Sequence, residues 1–182
     1  DVVNLGIGLP TLVANYLPEG VTIVLQSENG MLGLGPAALP GEEDKDLTNA
    51  GAVPVTVLPG GCFFDSATSF AIIRGGHVDY PALGVLEVDQ EGNLANYKIP
   101  GKVVPGMGGA MDLVAGSRVV IAATTHFDKS GAPKLRRRCS LPLTARKEVD
   151  LVVTDLGYFE VMGGTFRLLE WFPPYTPEWI RK

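Results

Sequence analysis

The sequence predicts an α/β fold: an open, largely parallel sheet flanked by helices, with an antiparallel hairpin at one edge. Three observations carry this expectation. Apolar, β-branched runs recur at residues 2–7, 21–25, 53–58, 82–88, 119–123 and 151–154. Most are continuous rather than alternating, as suits strands buried on both faces beneath helices. The segment 158–170 instead alternates and carries a Gly163-Gly164 turn, the pattern of an antiparallel edge hairpin.

The elements follow in order. Asp1-Val2-Val3-Asn4-Leu5-Gly6-Ile7-Gly8 reads as a strand that begins at the first residue, so an N-terminal element is expected to be missing ahead of it. A helix is predicted over residues 11–17, with Pro10 at its opening, where a missing N–H costs little. The second apolar run leads into Gln26-Ser27-Glu28-Asn29-Gly30. Residues 41–46, with Glu42, Glu43 and Asp44, read as a solvated surface loop. A second helix is predicted over residues 66–74, capped by Asp65 or Ser66, with Phe70 and Ile73 on one face and Gly75-Gly76 as the stop. Residues 87–97 form a hairpin turned at Glu91-Gly92-Asn93. No internal repeat is visible.

Composition bounds the class. A chain of 182 residues fits one domain with a sizeable core. Its apolar content of 46% against 19% charged residues excludes a disordered chain, despite 23 Gly and 14 Pro. The net charge of −5 gives no general attraction to nucleic acid. The basic cluster Lys134, Arg136, Arg137 and Arg138 reads as a solvated or interface-lining face, with a phosphate site as the rival reading. Cys62 and Cys139 are far apart and make no CxxC pair, and His77 and His126 are too few for a metal cluster, so no metal is expected. Two isolated thiols fit a reducing compartment. No apolar run reaches transmembrane length and no signal peptide is visible. A cytoplasmic protein that engages neither membrane nor nucleic acid is the expectation.

The chemistry centres on Glu28. A carboxylate just past a strand end, between turn formers, is held by a rigid scaffold and open to a cleft. Its roles there are nucleophile, base or structural cap. G-x-S-x-G is absent and neither His has an evident nucleophile beside it. If the chain transfers acyl groups, a carboxylate nucleophile is what survives. Three glycine words, Gly6-Ile7-Gly8, Gly33-Leu34-Gly35 and Gly106-Met107-Gly108-Gly109, lack the spacing or the leading strand of a dinucleotide fingerprint. The last of them runs from Pro105 into Ala110-Met111-Asp112-Leu113 as a loop entering a helix. Its N–H groups could face a developing oxyanion, or the loop could be a tight turn under the helix; both readings stay open.

Taken together, several words resemble the B-type half of the family I CoA-transferases, the group of 3-oxoacid, acetoacetate and 3-oxoadipate CoA-transferases. They are Asn4-Leu5-Gly6-Ile7-Gly8-Leu9-Pro10, Gln26-Ser27-Glu28-Asn29-Gly30, Asp65-Ser66-Ala67, Ile73-Arg74-Gly75-Gly76-His77, Val104-Pro105-Gly106-Met107-Gly108-Gly109-Ala110-Met111-Asp112-Leu113, and Pro142-Leu143-Thr144. The resemblance implies a sheet fold shared with sugar-phosphate isomerases and a nucleophilic Glu at Glu28. It implies that Asn4 and the Gly109 amide, with Gly108 beside it, line the same site. It implies a short carboxylic or 3-oxo acid and an acyl-CoA such as succinyl-CoA or acetyl-CoA, a glutamyl-CoA thioester, and no cofactor beyond the CoA substrate itself. A complementary A-type partner is implied, in a heterotetramer or larger assembly. Arg74 is the candidate for a substrate's distal carboxylate, with Arg136–Arg138 or the A-type partner as alternatives. Glu87, Asn93 and Tyr97 depart from the family pattern. The tail diverges from about residue 171, and the family's N-terminal helix is absent. Two other readings remain at this stage: a non-catalytic acyl-CoA-binding or assembly module, and a sugar-phosphate isomerase, for which no phosphate cradle stands out.

Overall fold

The computed structural model describes residues 1–102, 104 and 106–180. Pro105, which opens the glycine loop, lies outside the described residues, as do the last two positions of the tail. The strands are β1 (Val2–Leu5), β2 (Val24–Ser27), β3 (Met31–Ala37), β4 (Val55–Phe63), β5 (Tyr80–Gly84), β6 (Glu87–Asp89), β7 (Leu94–Ala95), β8 (Ile121–Ala123), β9 (Leu135–Arg136), β10 (Leu151–Val153), β11 (Gly157–Val161) and β12 (Phe166–Trp171). The helices are α1 (Ser66–Arg74), α2 (Ala110–Gly116) and the single turn α3 (Pro177–Ile180), with a 3-10 helix over Leu9–Tyr16.

One sheet of nine strands runs in the order β12-β11-β10-β8-β5-β1-β2-β3-β4. Its centre, β10-β8-β5-β1-β2, is parallel throughout. The expected hairpin β11-β12 closes one edge antiparallel. The other edge is antiparallel too, through β3 and β4, where one such edge was expected. Here Gly33 and Gly35, the second of the three glycine words, lie inside a strand. The register slips between Leu32 and Leu34 and again before Ala37. Gly33 sits at φ +83°, and a Cβ there would come within 2.7 Å of the Gly61 Cα. A side chain at that crossing would force the strands apart.

The run at residues 82–88 divides. Its first half is β5 in the large sheet. Its second half is β6, which pairs antiparallel with β7 and parallel with β9 in a separate three-stranded sheet. Two buried carboxylates tie this small sheet to the chain beyond it. Glu87 accepts from the Ser140 N–H (2.7 Å), the Ser140 hydroxyl (2.8 Å) and the Leu141 N–H (3.1 Å). Arg136 Nε stands 3.2 Å from the same carboxylate, paired with it by charge rather than by a well-aligned hydrogen bond. Burial opposes the charge of Glu87, but these partners outweigh it and hold the carboxyl below its usual range. Asp89 is held likewise: burial again opposes, and Asn93, Cys139 and Glu91 prevail. The departures at Glu87 and Asn93 are thus packing anchors, and Arg136 belongs to the fold rather than to a free basic face.

Helix α1 has the predicted bounds. The Asp65 carboxylate accepts from the Thr68 N–H at 2.7 Å, a side-chain N-cap, and Gly75 ends the helix. The segment predicted as a helix over residues 11–17 winds instead as a 3-10 helix one or two residues earlier. Gly8 offers it no side-chain cap, and only Pro10 is buried, so no packed face rewards a regular α-helix. Helices α1 and α2 pack on each other and on the sheet. Ile73, Leu83, Val88, Leu94, Leu113 and Val152 join in one buried cluster that also reaches the small sheet. Among the described residues, no helix is long and apolar enough to cross a membrane.

Candidate active site

Strand order reverses at β1. β2 lies on one side of it and β5, the next parallel strand in sequence, on the other. In open α/β sheets the crevice for a ligand forms at such a point, beyond the carboxyl ends of the strands. A cleft of about 410 Å³ opens there. Its walls include Asn4 of β1, Glu28 just past β2, Leu83 and Gly84 ending β5, Asn96 past β7, and the loop Gly106-Met107-Gly108-Gly109 entering α2. A larger groove of about 1090 Å³ lies elsewhere, against the β11-β12 hairpin, and contains none of these residues.

The word Ser27-Glu28-Asn29-Gly30 divides its labour. Ser27 is buried, and its hydroxyl accepts from the Ala50 N–H at 3.1 Å. Asn29 donates its amide to the Thr48 carbonyl at 2.8 Å. Gly30 turns back with its N–H on the Ser27 carbonyl (3.0 Å) at φ +114°, where any Cβ would strike the Phe64 carbonyl. Three of the four residues therefore fix the turn, and the Glu28 carboxylate is left to face the cleft.

Glu28 is half-buried, and burial raises its pKa above the usual carboxylate range. A hydrogen bond from the Gly109 N–H works the other way, and the Asp112 charge adds to the rise. Gly109 caps α2 at φ −85° and ψ 7°. Any residue could adopt that backbone, but a Cβ there would press into Glu28 Oε2 and approach Phe70 Cε1 at 3.0 Å. A side chain here would contest the space of the Glu28 carboxylate, not the backbone conformation. Gly108 sits beside it at φ +53°. The loop is therefore more than a turn beneath a helix, because its Gly109 amide meets the carboxylate.

Asn4 is buried in the same wall, with a twist that sequence could not reveal. Its Nδ2 donates to the Gln26 carbonyl (3.2 Å) and to Gln26 Oε1 (2.6 Å). Gln26 Nε2 in turn donates to the Ser27 carbonyl (3.1 Å) and Ser69 Oγ (3.0 Å). The two backbone carbonyls fix both amide orientations, since each must face an N–H. Both Asn4 hydrogens are thus engaged. Asn4 lines the cleft, with Oδ1 the atom that its own hydrogen bonds leave over.

Arg74 does not line the cleft. Its Nε pairs with Asp112 Oδ1 at 2.6 Å, and its guanidinium lies 5.8 Å from the Phe70 ring centroid. Sequence reasoning missed Gln26 as a network member and Asn96 as a wall residue. Asn96 is reached only through contacts about fifty positions away, for which no local pattern exists. Among the described residues, no group of three or more His, Cys, Asp or Glu is placed to hold a metal ion.

Known proteins resemble this chain in sequence and in fold. The coenzyme A transferase family model matches residues 1–180. The chain is 60% identical to the beta polypeptide of the acetate CoA-transferase of Escherichia coli K12, over 93% of its length and 77% of the relative's. It is 54% identical to the B polypeptide of the probable succinyl-CoA:3-ketoacid coenzyme A transferase of Bacillus subtilis 168, over 92% of its length and 78% of that protein's. An acyl-CoA transferase from Escherichia coli O157:H7 shares the fold with a TM-score of 0.75 at 23% identity. That match covers 97% of this chain, which spans only 36% of the other's length. With a family match over nearly every residue and relatives above half identity, the chain belongs to the coenzyme A transferase family.

Proposed function

We propose that this chain is the catalytic B-type half of a CoA-transferase that moves CoA between an acyl-CoA and a short carboxylic or 3-oxo acid. One observation carries the reading: a half-buried Glu28 carboxylate at the switch point of the sheet, with the Gly109 N–H upon it. Desolvation leaves that carboxylate poorly hydrated and hence more reactive once ionised. A Glu28 oxygen attacks the thioester carbonyl carbon, and the carbonyl electron pair moves to oxygen. Collapse breaks the C–S bond, releases CoA thiolate and leaves an acyl-glutamyl anhydride. The thiolate then attacks the glutamyl carbonyl, the first acid departs as carboxylate, and Glu28 carries CoA as a thioester. The second acid reverses these steps. In the second attack, negative charge develops on the former Glu28 carboxyl oxygen, where the Gly109 N–H is already in reach, with Gly108 beside it. No step calls for a metal or a redox cofactor.

The CoA donor in this reading is succinyl-CoA or acetyl-CoA and the acceptor a short carboxylic or 3-oxo acid, in keeping with the names of the relatives. A dicarboxylate would need a cation for its distal group. Arg74 is bound to Asp112 and Arg136 to Glu87, and neither they nor Arg137 and Arg138 line the cleft, so we assign that cation to an A-type partner. The active assembly is a heterotetramer or larger, and a cytoplasmic one. The test is borohydride reduction after incubating the reconstituted enzyme with acyl-CoA, followed by peptide mass spectrometry. Modification is expected at Glu28, with exchange abolished in Glu28→Ala and absent from this chain without its partner. Label on another residue, or an active Glu28→Ala enzyme, refutes the nucleophile; full activity of the chain alone refutes the partner.

A further inference from the structure

The first attack raises a second electrostatic demand. Charge then develops on the substrate's thioester oxygen, a different atom from the Glu28 oxygen that Gly109 serves. Asn4 has no hydrogen to offer it, because both are engaged by Gln26. Asn96 stands in the wall of the same cleft. It lies one residue past β7, and its side chain is locked by a reciprocal pair with Thr144. The Thr144 hydroxyl accepts from the Asn96 backbone N–H at 3.1 Å and donates to Asn96 Oδ1 at 2.6 Å. The hydroxyl's one hydrogen and a lone pair are both used, and the amide oxygen is turned toward Thr144. What remains for the cleft is Nδ2, with its two hydrogens. Thr144 is itself buried and fixed to β7: its N–H donates to the Leu94 carbonyl at 2.7 Å.

Resting on the reading of Glu28 as nucleophile, we propose that Asn96 is a catalytic residue that donates from Nδ2 to the thioester oxyanion. Thr144 is its positioning residue. The cleft then has two donors for two tetrahedral centres: Asn96 for the acyl-CoA carbonyl and the Gly109 amide for the glutamyl carbonyl. Such a donor acts because it is oriented before the reaction begins and costs no reorganisation during it.

The experiment measures single-turnover formation of the enzyme-CoA thioester in the enzyme reconstituted with its A-type partner. Asn96→Ala should slow that step by about 10²–10³-fold with KM little changed, as for loss of one oxyanion donor. Asn96→Asp keeps the shape, replaces the donor with an anion, and should be at least as slow. Thr144→Val should slow the step by roughly tenfold, the loss expected when a donor is left free to rotate out of line. Thr144→Ser restores the hydroxyl and should recover the rate. A wild-type rate in Asn96→Ala or Asn96→Asp, or a raised KM with an unchanged rate, overturns the assignment of Asn96. Equal losses in Thr144→Val and Thr144→Ser overturn that of Thr144. If the wild-type enzyme forms no thioester on Glu28, the underlying reading has failed; if it does and Asn96→Asp matches it, this inference alone has failed.

Discussion

Gly109→Ala isolates the contact between loop and carboxylate. The backbone at Gly109 (φ −85°) suits alanine, so the perturbation is one methyl group and nothing else. That methyl would overlap Glu28 Oε2 and stand 3.0 Å from Phe70 Cε1. The ring is packed against the buried core, so the carboxylate is what yields. It must retreat by about 1 Å, and misplacement on that scale costs on the order of 10²-fold in rate. The same movement breaks the Gly109 N–H bond to Glu28, and loss of one such donor costs about 10²–10³-fold. The two losses act on one event, so they do not multiply. A kcat lowered by about 10²–10³-fold is expected in the reconstituted exchange assay. Stability should suffer less. Overpacking costs about 1–3 kcal/mol, and the cleft gives the displaced side chain room, which favours the low end. In a domain of this size that is a fall in Tm of roughly 2–4 °C. Gly108→Ala provides the contrast. Its Cβ would lie 3.6 Å from Glu28 Oε1, an ordinary contact, but at φ +53°. Its cost falls on the backbone, about 1–2 kcal/mol, with a smaller loss of kcat than at Gly109. A folded Gly109→Ala enzyme within tenfold of wild-type kcat would mean that the amide does not serve the reacting carboxylate.

Two further expectations concern charge. Asp112 raises the Glu28 pKa and is itself paired with Arg74, so Arg74→Met should move the acid limb of kcat/KM to higher pH and Asp112→Asn to lower pH; shifts in the same direction, or none in either, would break the link. Because the folded pKa of Glu28 lies above its unfolded value, its ionisation destabilises the fold progressively as pH rises through that interval and fully above it. Glu28→Gln should therefore melt above wild type at neutral pH, with the gap closing toward acid pH; a lower Tm at neutral pH would contradict the desolvation of Glu28.

Most of the parallel centre was legible because its strands are short, continuous runs rich in apolar and β-branched residues, which composition marks without any partner strand in view. β3 was not. It carries Gly33 and Gly35, which oppose a strand by propensity and are demanded by a close crossing with β4 that no local window contains. The division of residues 82–88 between two sheets was hidden for a related reason. A continuous apolar run records burial, not which sheet provides it. In the site, Glu28 and the glycine loop were visible because turn chemistry marks them locally. The donor capacity of Asn4 was not visible, since it depends on Gln26 next door in space, on a parallel strand twenty-two positions away.

Such a cleft is built under a constraint. Every strand ending at the switch point must satisfy its neighbours before it can serve a ligand. Asn4 lies opposite Gln26 in the β1-β2 register, deep enough that an unpaired amide hydrogen would be costly. Its donors are therefore taken by the sheet. Residues beyond the strand ends carry no ladder obligation. Glu28 lies one residue past β2, Asn96 one past β7, and Gly109 immediately before α2. Each has its backbone or neighbouring side chains pinned, through Ser27 to Ala50, Asn96 to Thr144, and Gly109 to its helix. The functional atom is in each case the one those structural bonds leave over. The reactivity proposed for this cleft is thus a remainder of hydrogen-bond satisfaction, which is why it is assigned to element ends and why Asn4, inside β1, has only its Oδ1 to spare.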